Sequence, residues 1–176
     1  TTDAANIGIV YFSNVARTLL TLTNDASSVK NVLLTTVRRG GSTCIAPGLQ
    51  SAMKVLNNPL PGRAGASKVL IFIGDGVEAC NYDQVMQQVA QMTANMTRLS
   101  ISPSTSYYSM TYLKAIAGME SNVILATFAT LTSKIDAVID KTCTELPVQQ
   151  CGKLCYGLCS CNKECICPRC TNTSSC

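Results

Sequence analysis

Apolar residues fall in short blocks whose period changes along the chain. Residues 7 to 12, IGIVYF, form a β-branched and aromatic run, and 16 to 23, ARTLLTLT, alternate. Both predict strands, and their short separation predicts a hairpin. Asp25 then caps a predicted helix whose Val29, Val32, Leu33 and Val37 share one face, with Gly40-Gly41 ending it behind Arg38 and Arg39. Leu49, Ala52, Met53 and Leu56 repeat at helical spacing up to Asn58, where Pro59 follows.

Val69 to Ile73 is an unbroken apolar run with no polar alternation, the pattern of a central parallel strand covered on both faces. A helix from about Asp83 aligns Val85, Val89 and Met92. A short strand at RLSIS, a helix ending in YLKAIAG and a strand NVILATF (122 to 128) follow. A last helix uses Ile135, Val138, Ile139 and Thr142 before Cys143. This alternation predicts an α/β fold: a doubly wound, mostly parallel sheet with helices on both faces.

The pattern stops near Thr144-Glu145-Leu146-Pro147, so we expect an α/β domain over 1–143 and a small tail over 144–176. Cys151, Cys155, Cys159, Cys161, Cys165, Cys167, Cys170 and Cys176 crowd the tail, with few apolar residues between them. Such a segment builds no core, and crosslinks or bound metal must order it. A disulfide framework and a metallothionein-like cluster are the two alternatives; its connectivity is not encoded in the spacing. The total of 11 cysteines is odd, which leaves at least one thiol free or bonded to another chain. The sequons at Asn95 and Asn172 suit glycosylation on a secretory route, as disulfides do, so a secreted, extracellular protein is expected.

Charge and composition mostly exclude. The formal charge is +4, but the basic residues are scattered and only Arg38 and Arg39 touch, which argues against a nucleic-acid surface. No run of 18 apolar residues predicts a membrane span. There is no histidine, which removes a Ser-His-Asp triad, a Cys-His pair and imidazole zinc sites together. Neither a general base nor a phosphate loop is evident, and we expect no enzyme.

The series IGIVYFSNVARTLLTLT, RRGGSTCIAPGLQSAMKVL, KVLIFIGDG, YLKAIAG and NVILATF, taken in order from about residue 5 to 143, resembles the von Willebrand factor type A domain. The resemblance implies a divalent cation at the carboxyl ends of the strands. In that family it is held by a D-x-S-x-S loop, a threonine and an aspartate after the central strand. The threonine matches Thr43 and the aspartate Asp75. Mg2+ or Ca2+ would be the cation, a hard ion needing about six oxygens. Cys44 and Cys80 each lie one loop step beyond one of these residues. Both therefore come to the same rim, and a Cys44–Cys80 disulfide is expected, the alternative being two buried thiols. Cys143 is expected to bond into the tail.

The sequence departs from the family at its start. The family's first strand, first helix and D-x-S-x-S loop have no counterpart here, although that strand is central in the family's sheet. Each buried unpaired backbone group costs roughly 1 to 3 kcal/mol, so several approach a whole domain's stability of about 5 to 15 kcal/mol. Three repairs are open: a longer polypeptide, a second chain that supplies the strand, or a rearranged sheet. The expected function is an adhesion or structural module of a matrix or filament that docks other protein chains at the rim, with self-assembly included. The alternatives are an assembly subunit with a dead metal site joined by strand complementation, and an intracellular module with a metal-binding tail.

Overall fold

The computed structural model describes residues 5–37, 40–58, 66–92, 96–103, 107–127, 129–134, 136, 138, 149–150 and 156–157. The chain divides into two compact units, residues 1–125 and 126–176. In the first, β1 (Ile7–Phe12) and β2 (Ala16–Thr23) form an antiparallel hairpin. Strands β3 (Lys68–Ile73), β4 (Met96–Ser102) and β5 (Val123–Leu125) form a parallel sheet in that order. In the second unit, β6 (Gln149–Gln150) pairs antiparallel with β7 (Tyr156–Gly157).

Four α-helices are described in the first unit. Helix α1 (Ala26–Thr35) starts at Asp25, whose carboxylate accepts the Ser27 N–H at 2.9 Å. It stops earlier than the apolar spacing predicts, because Thr35 and Thr36 turn their hydroxyls back onto the carbonyls of Asn31 and Val32. Val37 therefore lies beyond the helix, 77% exposed, and no α1 residue is fully buried.

Helices α2 (Ile45–Leu56), α3 (Tyr82–Ala90) and α4 (Tyr107–Ala117) build the core on one face of the sheet. Ile45 and Leu49 of α2, Val85 of α3, and Leu113 and Ile116 of α4 close over Leu70 and Phe72 of β3. Helix α4 ends at Gly118, which takes φ +78°, a conformation glycine adopts without strain. Helix α1 lies on the other side of the hairpin, where Tyr11, Arg17 and Leu19 share a cleft with Thr35, Thr36 and Val37.

Two expectations need correction. The strand 69–73 is covered on one face only: Leu70 and Phe72 are buried, whereas Ile71 and Ile73 are 42% and 60% exposed. An apolar run shows which burial a strand suits, but the cover itself is a tertiary matter. The final strand is also shorter than 122–128, ending at Leu125. The last helix expected over 135–142 lies largely outside the described residues, as do Asn95, Asn172, Cys143 and every cysteine of the tail.

Candidate docking rim at the strand ends

Three loops meet where β1 and β3 end. The first, Ser13 to Val15, turns the hairpin; the second, Gly41 to Cys44, leads into α2; the third, Gly74 to Asn81, joins β3 to α3. The Cys44 N–H donates to the Ser13 carbonyl at 2.9 Å, and the Asn14 amide oxygen accepts the Ser42 N–H. Between the second and third loops, the Ala79 N–H donates to the Thr43 carbonyl at 2.9 Å.

Glu78 supplies the tie that sequence reasoning missed. Helix α2 begins at Cys44, whose side chain makes no capping bond. Glu78 does that work from the other loop: its carboxylate accepts the Ile45 N–H at 2.7 Å. The same side chain accepts the N–H groups of Cys80 at 2.5 Å and Asn81 at 3.2 Å. A carboxylate suits a helix N-terminus, whose first N–H groups have no partner within the helix. Beside it, the Cys44–Cys80 disulfide closes the same two loops with a Cα separation of 5.2 Å. The expected pairing is therefore present, with Cys44 buried and Cys80 exposed.

Thr43 and Asp75 stand on the two loops so joined, Thr43 half-buried and Asp75 exposed. Asp75 closes a tight turn in which its carboxylate accepts the Val77 N–H at 3.0 Å, with Gly76 between them at φ +72°. These two side chains offer one carboxylate and one hydroxyl, too few oxygens to fill the shell of Mg2+ or Ca2+. A cation at Thr43 and Asp75 thus needs ligands beyond these two side chains. Cys44, Glu78 and Cys80 also place a ligand atom each within 4.8 Å of one another, but the two sulfurs are bonded together and Glu78 is engaged by three N–H donors.

Below the rim, Tyr112 of α4 meets Tyr82 of α3 edge to face, with ring centroids 5.4 Å apart. Burial pushes the Tyr112 phenol above its ordinary pKa, and the Glu78 carboxylate and Tyr82 add to the shift. No helix among the described residues is long and apolar enough to cross a membrane.

A parallel sheet with helices packed on it, and a rim of loops at the carboxyl ends of its strands, make an α/β domain, the class in which ligands bind at the strands' carboxyl ends. The sequence model of the von Willebrand factor type A domain matches residues 1–138, and the chain belongs to that family. No curated protein matches it significantly.

Among solved structures, proximal thread matrix protein 1 from the mussel byssus is 25% identical, with a TM-score of 0.64 over 78% of this chain. This chain spans only 36% of that protein's length. A further structure of the same matrix protein carries a zinc-occupied MIDAS motif. A von Willebrand factor type A protein from Catenulispora acidiphila (18% identity, TM-score 0.61, 77% of this chain and 33% of that one) has the same fold. So does BatB from Bacteroides thetaiotaomicron (14% identity, TM-score 0.59, 80% of this chain and 78% of that one).

Proposed function

We propose that this chain is an extracellular, non-enzymatic interaction module of a protein matrix or filament, which docks neighbouring chains at the rim bearing Thr43 and Asp75. The observation that carries this reading is the rim itself: three loops locked by main-chain bonds, by Glu78 and by a disulfide, with an exposed carboxylate at Asp75. The likeness to a byssal matrix protein supports a structural setting, and the disulfide suits an oxidising one. Where further oxygen ligands complete the shell, a divalent cation bridges Asp75 to a carboxylate of the partner.

Sedimentation of the purified chain in calcium, magnesium or zinc, and then in EDTA, tests this reading. We expect concentration-dependent assembly that is lost on Asp75→Ala at unchanged Tm. A monomer under every cation and concentration would remove self-assembly from the reading. Glycan mapped to Asn95 would support the secretory route, whereas zinc on reduced tail thiols would favour an intracellular module.

A second reading has its own support. The hairpin β1–β2 and the sheet β3–β4–β5 are not hydrogen-bonded to each other. Assembly by strand complementation, in which an outside strand joins two sheet edges, uses that arrangement and needs no cation.

A further inference from the structure

We propose that Cys44, Glu78 and Cys80 form a second cation site on the rim, one that takes zinc once a dithiol has reduced the Cys44–Cys80 bond. Thr43 and Asp75 offer oxygen alone and suit a hard ion, whereas two thiolates with a carboxylate suit a softer one. The site goes beyond the docking reading and does not depend on it.

Exposure sets how the bond opens. Cys80 is exposed and Cys44 buried, so the incoming thiolate attacks the Cys80 sulfur and the Cys44 sulfur leaves. The reductant's second thiol then displaces Cys80. Two electrons pass from the dithiol, which ends as its own cyclic disulfide, and its two protons end on the Sγ atoms of Cys44 and Cys80. Zinc displaces those protons as two Zn–S bonds form.

The ligands are held together by more than the disulfide. The Ala79 N–H donates to the Thr43 carbonyl at 2.9 Å, and the Cys44 N–H to the Ser13 carbonyl at 2.9 Å. Across the same two loops, the Ile45 N–H donates to Glu78 at 2.7 Å. None of these bonds involves a sulfur, so reduction leaves them in place and the two thiols stay on facing loops. The three ligand atoms lie within 4.8 Å of one another. Around a tetrahedral zinc, with bonds of about 2.0 to 2.3 Å, ligand atoms stand roughly 3.3 to 3.8 Å apart. Rotation of the side chains covers that difference.

Glu78 serves both as cap and as ligand. Its Oε1 accepts the N–H groups of Cys80 and Asn81, whereas Oε2 accepts that of Ile45. A carboxylate oxygen with one donor keeps a lone pair for an ion. Three protein ligands leave the fourth position of a tetrahedral zinc open to water or to a donor from a partner.

The test is cadmium-113 NMR, with cadmium standing in for zinc, on the full chain reduced and then freed of dithiol under nitrogen. The cadmium shift follows the number of sulfur ligands. A two-sulfur site therefore stands apart from sulfur-rich sites in the tail and from an all-oxygen site at Thr43 and Asp75. We expect one two-sulfur resonance in the reduced parent, absent from Cys44→Ser/Cys80→Ser and retained in Asp75→Ala. Glu78→Gln, which puts a neutral amide in place of the carboxylate, should weaken zinc at least tenfold when that resonance is followed against a competing chelator. Each of the following overturns the proposal: no resonance that separates the parent from the double variant; Cys44 and Cys80 found only in four-sulfur sites with the tail; loss of the resonance in Asp75→Ala; unchanged affinity in Glu78→Gln; or loss of the folded circular dichroism spectrum on reduction with zinc present. Sedimentation of the oxidised chain scores the docking reading, and neither result decides the other.

Discussion

The carboxylate of Glu78 accepts the backbone N–H of Ile45 at 2.7 Å, across 33 residues of sequence, and so caps a helix whose own N-cap residue is a cysteine. Glu78→Ala leaves three N–H groups without their acceptor. Because the site is only part-buried and water replaces some of these bonds, the expected loss is about 1 to 3 kcal/mol. For a chain of this size that lowers Tm by roughly 2 to 4 °C per kcal/mol. Thermal unfolding followed by circular dichroism, without reductant, checks it; Glu78→Gln, which keeps one acceptor oxygen, should lose less. An unchanged Tm for Glu78→Ala would mean that the disulfide alone holds the rim.

Cys44 and Cys80 are 36 residues apart in sequence, so their bond removes much freedom from the unfolded chain. Chain-entropy reasoning for a loop of that length gives about 4 kcal/mol. The double variant Cys44→Ser/Cys80→Ser should therefore unfold at a clearly lower denaturant concentration. Its slope against denaturant should rise, because its unfolded state is less confined. Replacing both cysteines isolates this bond from those of the tail, which added reductant would break as well. A midpoint within error of the parent protein would show that the loops are held without it.

What was legible in advance was local. The boundaries of β2 follow from its alternation, and the Asp25 cap from one carboxylate ahead of a helical run. The rim partners Cys44 and Cys80 followed from a family resemblance that orders the loops. Glu78, three residues after Asp75, reads in the sequence as an acid near the crevice and more readily as a solvated loop acid; its capping role is not legible there, because its partner Ile45 is near only after folding. The exposed face of β3 is not legible in the sequence for a related reason. Ile71 and Ile73 are as apolar as Leu70 and Phe72, and only the cover that the described residues give distinguishes them.

Gly48 lies in α2, where alanine is ordinarily the better helix former by about 1 kcal/mol. A Cβ at this position would stand 2.8 Å from Cγ and 3.1 Å from Cβ of Phe12, the base of the ring rather than a flexible tip. Overpacking of this kind costs about 1 to 3 kcal/mol, so Gly48→Ala should destabilise despite its propensity. Chemical denaturation of the variant checks the sign. A more stable protein would mean that β1 yields against α2 more readily than its contacts imply.

Tyr112 gives a pH dependence. Burial, with Glu78 and Tyr82, holds its folded pKa above the ordinary tyrosine value near 10. The neutral phenol is thus favoured in the folded state, and this contribution is fully present below about pH 10. It is lost as pH rises from there through the folded pKa, because the unfolded chain releases its proton first. Tyr112→Phe should keep the ring contact with Tyr82 and reduce the fall in stability between about pH 9 and pH 11. Comparing denaturation midpoints of parent and variant cancels the other tyrosines, and identical pH profiles would refute the assignment.

Leu113 and Leu34 separate what the fold needs from what an assembly needs. Leu113 is fully buried in α4 among Ile45, Val85 and Ile116, so Leu113→Ala should cost about 2 to 5 kcal/mol. Leu34 is 74% exposed on α1, where truncation removes little buried area and should change the unfolding midpoint by less than about 0.5 kcal/mol. If α1 meets a neighbouring chain in a matrix, Leu34→Ser should weaken sedimenting assemblies while leaving the midpoint where it was. If instead the midpoint drops as it does for Leu113→Ala, Leu34 is covered within the chain's own fold, and its exposed position on α1 is not a surface for partners.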